Sequence, residues 1–224
     1  SLLLIQNGAN LLDLNGASKQ NAYDALDFYT SFARGEAKVW DETLENSKLA
    51  FAKGNLAMYF GYSWDIFEIK AMNPNLEFAI LPVPHLPSRN AAVASYWVEG
   101  ISNKTKFSKE AFEFLKFLAS RETLEKLYSK ESKVRLFGAL YPRSDMADLL
   151  KTNTLIYPFV EQGKIASSTI FSSDTYDDAM VTSLNSYLGN AIRAIIIENA
   201  SPQSAVETLA SGVSQVLGRY AGQQ

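Results

Sequence analysis

The sequence predicts an α/β layered fold. Two observations point there: short strand-like runs in the first half are each separated from the next by a helical pattern, and the last third reads as helix throughout. A third is the punctuation, because Gly35, Gly54 and Gly61 and the Asn73-Pro74-Asn75 break fall at the ends of these runs.

Taken in order, Asp13 to Ser18 ("DLNGAS") is a turn by its Asn-Gly pair. From Gln20 to Ala33, Ala22, Leu26, Tyr29 and Phe32 or Ala33 recur at three- and four-residue steps, the stripe of a half-buried helix that Gly35 ends. A second helix is expected over 43–53, then a strand in "NLAMYF", a turn at Gly61, and a helix in "SWDIFEIKAM" capped by Ser63. "LEFAILPVP" follows as a continuous apolar run, which suits a strand covered on both faces. Prolines 82, 84 and 87 make an extended connection to a further strand in "AAVASYWVEGIS". Residues 108–120 carry Ala111, Phe112, Phe114, Leu115, Phe117 and Leu118 nearly all round, so a helix sandwiched between neighbours is expected, with "RETLEKLYS" as the next. Late in the chain Tyr176, Met180, Leu184, Tyr187 or Leu188, Ala191 and Ile195 form one helical stripe. Ser201-Pro202 opens the final helix, with Ala205, Leu209, Val213 and Leu217 inward.

Composition narrows the function classes. A net charge of -3 with no local cluster of Lys and Arg argues against a nucleic-acid partner. Without cysteine there is no disulfide framework, thiolate nucleophile or cysteine-ligated metal, and His85 is the only histidine. No apolar run approaches the ~20 residues of a membrane-spanning helix. Ser1 opens within what reads as the end of a helix, which suggests a longer protein.

No catalytic constellation and no cofactor site emerges. Asp174, Asp177 and Asp178 at the start of a helix are explained by favourable charge at its positive end. His85 lies in a proline-rich loop without Ser or Asp arranged as triad partners, and "KGNLAMYFG" lacks the pattern of a phosphate loop. Trp64 is the residue that asks for an explanation. It falls where a strand hands over to a helix, the edge at which open α/β sheets hold ligands. Position alone leaves two readings open, an indole facing a ligand or one packed in the core. Tyr59, Tyr62, Tyr96 and Trp97 add aromatic surface near other strand ends, and flat rings beside polar tips suit sugars.

Four stretches carry a resemblance: "LLLIQNGANLLDLNG", "LAFAKGNLAMYFGYSWDIFEI", the long run from "FAILPVPHLPSRN" through "EAFEFLKFLASRETLEKL", and "NAIRAIIIENASPQSAVETLASGVSQVL". In this order the chain resembles the C-terminal part of bacterial extracellular solute-binding proteins of the maltose-binding type, which feed ABC sugar importers. The resemblance implies an α/β, type II periplasmic-binding-protein-like fold of two lobes with ligand held between them. It implies that 1–82 and 130–224 belong to the second lobe, and that 83–129 cross to complete the first. Most of the first lobe would lie outside the chain. It implies a non-enzymatic receptor, located outside the cytoplasmic membrane, in the periplasm or lipid-anchored. Its partners would be a carbohydrate, an ABC permease and the remaining N-terminal lobe.

By the same resemblance Trp64 matches an aromatic platform on which a sugar ring stacks; Tyr62, from the aromatic surface named above, is a further candidate ligand-binding residue. "ASYWVEG" and "GALYPRSD" match cleft-lining segments, which brings in Tyr96 and Trp97 from the first and Tyr141 and Arg143 from the second. Tyr96 and Trp97 stand where relatives have small residues, which suggests a smaller ligand. Arg143 either donates to sugar hydroxyls or pairs with an acidic neighbour. Tyr187 lies nearest the stacking aromatic that some relatives carry on a late helix, although Gly189 and Asn190 occupy the better-aligned positions. A carbohydrate-active enzyme, which would need two carboxylates facing a cleft, and a receptor for a non-sugar solute are the alternatives.

Overall fold

The computed structural model describes residues 1–36, 38–85, 89–173 and 179–221. Its helices are α1 (Leu2–Gln6), α2 (Gly16–Ser31), α3 (Ser47–Ala52), α4 (Asp65–Met72), α5 (Ser108–Leu118), α6 (Arg121–Glu131), α7 (Tyr157–Gln162), α8 (Met180–Ile196) and α9 (Pro202–Ala221). Two short strands, β1 (Ala92–Val93) and β2 (Ala166–Ser167), pair in parallel with Ala92 opposite Ala166. The chain forms two compact units, one of Ser1–Leu44, Pro84–Ser95 and Ile165–Gln224, the other of Glu45–Val83 and Tyr96–Lys164. Each of the expected segments, 1–82, 83–129 and 130–224, is shared between these units.

The first unit is built on α2, α8 and α9. Their inward residues, among them Ala22, Leu26, Leu184, Ala191, Ile195, Val206, Leu209 and Val213, form one buried cluster with Leu4, Leu11 and Leu14. The late stripe from Met180 to Ile195 and the inward set of α9 are those expected from spacing, and Ser201 Oγ caps α9 by accepting from the Ser204 N–H at 3.1 Å. On α2 the stripe differs in detail. Ala22, Ala25, Leu26 and Thr30 are buried, whereas Tyr29 and Phe32 stand about half exposed. Small side chains on the inner face let α2 approach α9 closely, and the rings turn outward.

Polar tethers hold the edges of this unit. Gln6, buried at the end of α1, donates its amide to the carbonyls of Pro84 (3.1 Å) and Ala91 (3.0 Å) and so ties the connection before β1 to the helical layer. Asn7 donates to the Asn21 carbonyl at 2.7 Å while Asn21 donates to the Gly8 carbonyl at 3.1 Å, which joins α1 to α2. The carbonyls of Gly8, Pro84 and Ala91, outside any helix, thereby gain a side-chain donor.

The second unit packs Ile66, Phe137, Leu150 and Ile156 together, with Phe67, Phe78, Ile80, Tyr128 and Tyr141 against them. Here three expectations are corrected. "NLAMYF" and "LEFAILPVP" form no strand among the described residues, and the first bends at Ala57. From 76 to 81 partly buried and exposed residues alternate, so one face of this segment is covered rather than two. Phe78 and Ile80 rest on the core while Leu81 is 78% exposed. Finally α5, expected to be sandwiched, carries no buried residue. It packs on α6, and Phe112, Phe114 and Phe117 remain more than half exposed. Tyr176 and the aspartates 174, 177 and 178 lie outside the described residues. Among the described residues no helix is long and apolar enough to cross a membrane.

The first unit's core yields a stability prediction. Leu184 is fully buried between α8 and its neighbours, so Leu184→Ala is expected to cost about 2–5 kcal/mol through lost burial and the cavity left behind. Tyr29→Ala, at a half-exposed position on α2, should cost far less. Urea denaturation of both variants checks the contrast.

Candidate functional site

The residues around Trp64 are arranged by the turn between the irregular segment 55–60 and α4. Gly61 is required there sterically. A Cβ at this position would lie 2.5 Å from Tyr59 Cε1 and 2.7 Å from Asp65 Oδ2, so any side chain would push the Tyr59 ring off the turn. The helix then begins at Asp65, with Trp64 in the N-cap position and no side-chain cap from it. Ser63, the expected cap, does not serve. The Asp65 carboxylate instead reaches back out of the helix and accepts the Tyr62 N–H at 2.9 Å, closing the turn that precedes it.

Asp65 is buried, its side chain 7% exposed, and three donors converge on it. Besides Tyr62, the Tyr59 hydroxyl donates to Oδ2 at 3.0 Å and the Lys48 ammonium from α3 meets Oδ1 at 2.8 Å. Lys48 also reaches Glu68 Oε2 at 2.6 Å. A buried carboxylate without such partners would carry a penalty of several kcal/mol, so the convergence is what makes its position tolerable. Hydrogen bonds to Asp65, then to Glu68, raise the Lys48 ammonium well above the ordinary lysine range. Burial, followed by the charge of Asp65 and the bond to it, pushes the Tyr59 phenol up to about 12. Both groups therefore remain donors at physiological pH.

On this turn the Tyr62 and Trp64 rings stack, with centroids 4.4 Å apart and planes 16° from parallel. Trp64 is 38% exposed, so the indole belongs neither to the core nor to a lone surface position. Stacking covers one face of each ring, so the surface left for a ligand is the outer side of the partly exposed indole. Such a face suits a flat ligand with C–H groups on one side and hydroxyls around its rim.

The other expected site residues fall into different surroundings. Tyr96 and Trp97 lie in the same unit as the pair and are exposed, Trp97 by 82%. Tyr141 rests against Tyr128 at 5.2 Å within the second core cluster, and burial pushes its phenol up. Arg143 is committed to an acidic neighbour: Nε and Nη2 hold both oxygens of Asp145 at 2.9 and 3.0 Å, and Nη1 donates to the Ala119 carbonyl. This fork braces the turn after α5 with three of the five guanidinium N–H groups.

Tyr187 belongs to the first unit, on α8. Its ring lies over Gly212 of α9, where an added Cβ would come within 2.3 Å of the ring, and its hydroxyl reaches Gln215 Oε1 at 3.4 Å. The ring is thus a helix-packing element, with Thr182, Ser183, Ser186 and Asn190 along the same shallow surface of α8. Sequence reasoning singled out Tyr62 and Trp64 separately and counted Tyr59 only as aromatic surface, and it missed Asp65 and Lys48. Lys48 and Asp65 sit on different helices, so no periodicity links them. An acidic residue directly after the Trp, at the first turn of a helix, was the one available signal.

Comparison with known proteins places the chain. The family model described as "Bacterial extracellular solute-binding protein" matches residues 1–134, more than half of the sequence. A sequence search of curated proteins found no match. Among solved structures the chain is similar to a cyclo/maltodextrin-binding protein crystallised with maltotetraose, at a TM-score of 0.70 and 16% identity. That similarity covers 95% of this chain and 55% of the other, so the chain spans about half the length of the structure it matches. The fold is that of type II periplasmic binding proteins, and the chain belongs to the bacterial extracellular solute-binding protein family.

Proposed function

We propose that this chain forms part of the substrate-binding component of an ABC importer, a receptor that holds a sugar or oligosaccharide between two lobes and delivers it to a membrane permease. The observation that supports this reading is the exposed Trp64 indole at the start of α4, stacked on the partly buried Tyr62 ring. The solved structure that the chain resembles was crystallised with maltotetraose, which makes a gluco-oligosaccharide the first ligand to try. The role is binding without turnover, at the outer face of the cytoplasmic membrane or in the periplasm, with a lipid anchor as one means of retention. Binding by stacking needs only surface complementarity, whereas glycoside cleavage would need two positioned carboxylates.

Because the chain spans about half of the two-lobe structure that it resembles, the remaining wall of the site would come from the rest of that fold. A ligand held from both sides loses about half of its contacts when one wall is removed. The 224-residue chain alone is therefore expected to bind maltotetraose weakly or not at all. Calorimetry giving the same micromolar or tighter affinity for this chain as for the complete two-lobe protein would contradict that.

The central residue is Trp64. Stacking of a ligand on one aromatic ring is worth ~1–3 kcal/mol by analogy with base stacking, so Trp64→Ala in the complete protein should weaken maltotetraose binding ~5- to 150-fold. Its melting midpoint should change little, because the indole is 38% exposed. A large loss of stability with unchanged affinity would reject the platform. Turnover of the oligosaccharide during the titration would reject the receptor reading in favour of an enzyme.

A further inference from the structure

We infer that Asp65 is a positioning residue for the Tyr62–Trp64 pair: its buried carboxylate closes the turn on which both rings stand and ties that turn to α3. The purpose of such an arrangement rests on the sugar-platform reading, but its geometry does not.

The turn is closed twice over the same four residues. Asp65 Oδ2 accepts the Tyr62 N–H at 2.9 Å, and the Asp65 N–H donates to the Tyr62 carbonyl at 3.1 Å. Ser63 and Trp64 are enclosed between these reciprocal bonds. Two further donors brace the same carboxylate from elsewhere in the chain, the Tyr59 hydroxyl from before Gly61 and Lys48 from α3. A helix start needs none of this, since a Ser63 hydroxyl could cap it at the surface. What the buried carboxylate adds is a fixed direction for residues 62 to 64. A half-exposed indole ordinarily samples several rotamers, and ordering it on binding costs affinity. Here that ordering is done in advance, so the rings meet a ligand already stacked.

The pair's contribution to the near-ultraviolet circular dichroism of the 224-residue chain is read as the difference between the wild type and Tyr62→Leu. Asp65→Ala is expected to lose that contribution, down to the Tyr62→Leu level, with the far-ultraviolet helix signal retained. Asp65→Asn keeps an oxygen that accepts from Tyr62 and Tyr59, and should preserve most of the contribution. If Asp65→Ala folds and the full ring-pair signal persists, the inference is overturned. Should Asp65→Ala fail to fold, Tyr59→Phe and Lys48→Met carry the test: each is expected to lower the ring-pair signal, and an unchanged signal in both overturns the inference. Maltotetraose titration of the complete protein keeps the two readings apart. Loss of the ring-pair signal in Asp65→Ala with undiminished affinity supports positioning by Asp65 and rejects the sugar platform. Loss of both supports each.

Discussion

A carboxylate buried at the first turn of a helix must find its partners on the spot, and the geometry around Asp65 follows from that need. Its two oxygens collect an N–H, a phenol and an ammonium from three separate points of the chain. Satisfying them fixes the Gly61 turn, the start of α4 and the distance of α3 from α4. Remove the carboxylate and each of these loses its common anchor. The α3–α4 pair is also joined by Lys48 to Glu68 at 2.6 Å and by Asn73, which donates to the Ala52 carbonyl at 2.9 Å. Apolar packing cannot give the turn this directionality, because it is tolerant of small rotations whereas converging hydrogen bonds are not.

The aromatic pair gains its character from this anchor. Isolated exposed rings are ordinary on protein surfaces. Tyr62 and Trp64 differ in being stacked nearly parallel on a braced turn. Sugars are hard ligands for water-exposed sites, because their hydroxyls are as well solvated outside as inside. Their C–H faces are where a protein can compete, and a flat ring held ready competes best. Arg143 differs from the pair in that three of its five N–H groups already hold Asp145 and a backbone carbonyl.

Helical periodicity was the most legible part of the fold. The inward faces of α8 and α9 and the seryl cap at Ser201 could be read from spacing because these helices bury one stripe against each other. The strands were not so legible. "LEFAILPVP" is apolar at nearly every position, as a strand between two layers would be, yet the structure covers one face of it. The same holds for α5, whose all-round Phe and Leu pattern describes surroundings richer than the neighbour it packs on. A sequence records the burial its residues are suited to, and that record disagrees with the burial observed here at these two places. At the site, Trp64 was legible from the strand-to-helix position and the resemblance, and Tyr62 only as one of several rings near strand ends. Asp65 was not, because its importance depends on Lys48 and Tyr59 arriving from other segments. Tyr187 was legible as an aromatic on a late helix, but its packing over Gly212 depends on an α9 contact that no local pattern encodes.

The claim that matters most is that a sugar ring lies on the Trp64 indole. It is tested most directly by labelling the tryptophan indole N–H groups of the complete protein and titrating with maltotetraose, with the Trp64 cross-peak identified by its disappearance in Trp64→Phe. The account predicts a saturable shift of that cross-peak, larger than the shifts of Trp40 and of other tryptophans remote from the pair. Saturable binding of maltotetraose that leaves the Trp64 cross-peak unmoved would contradict it.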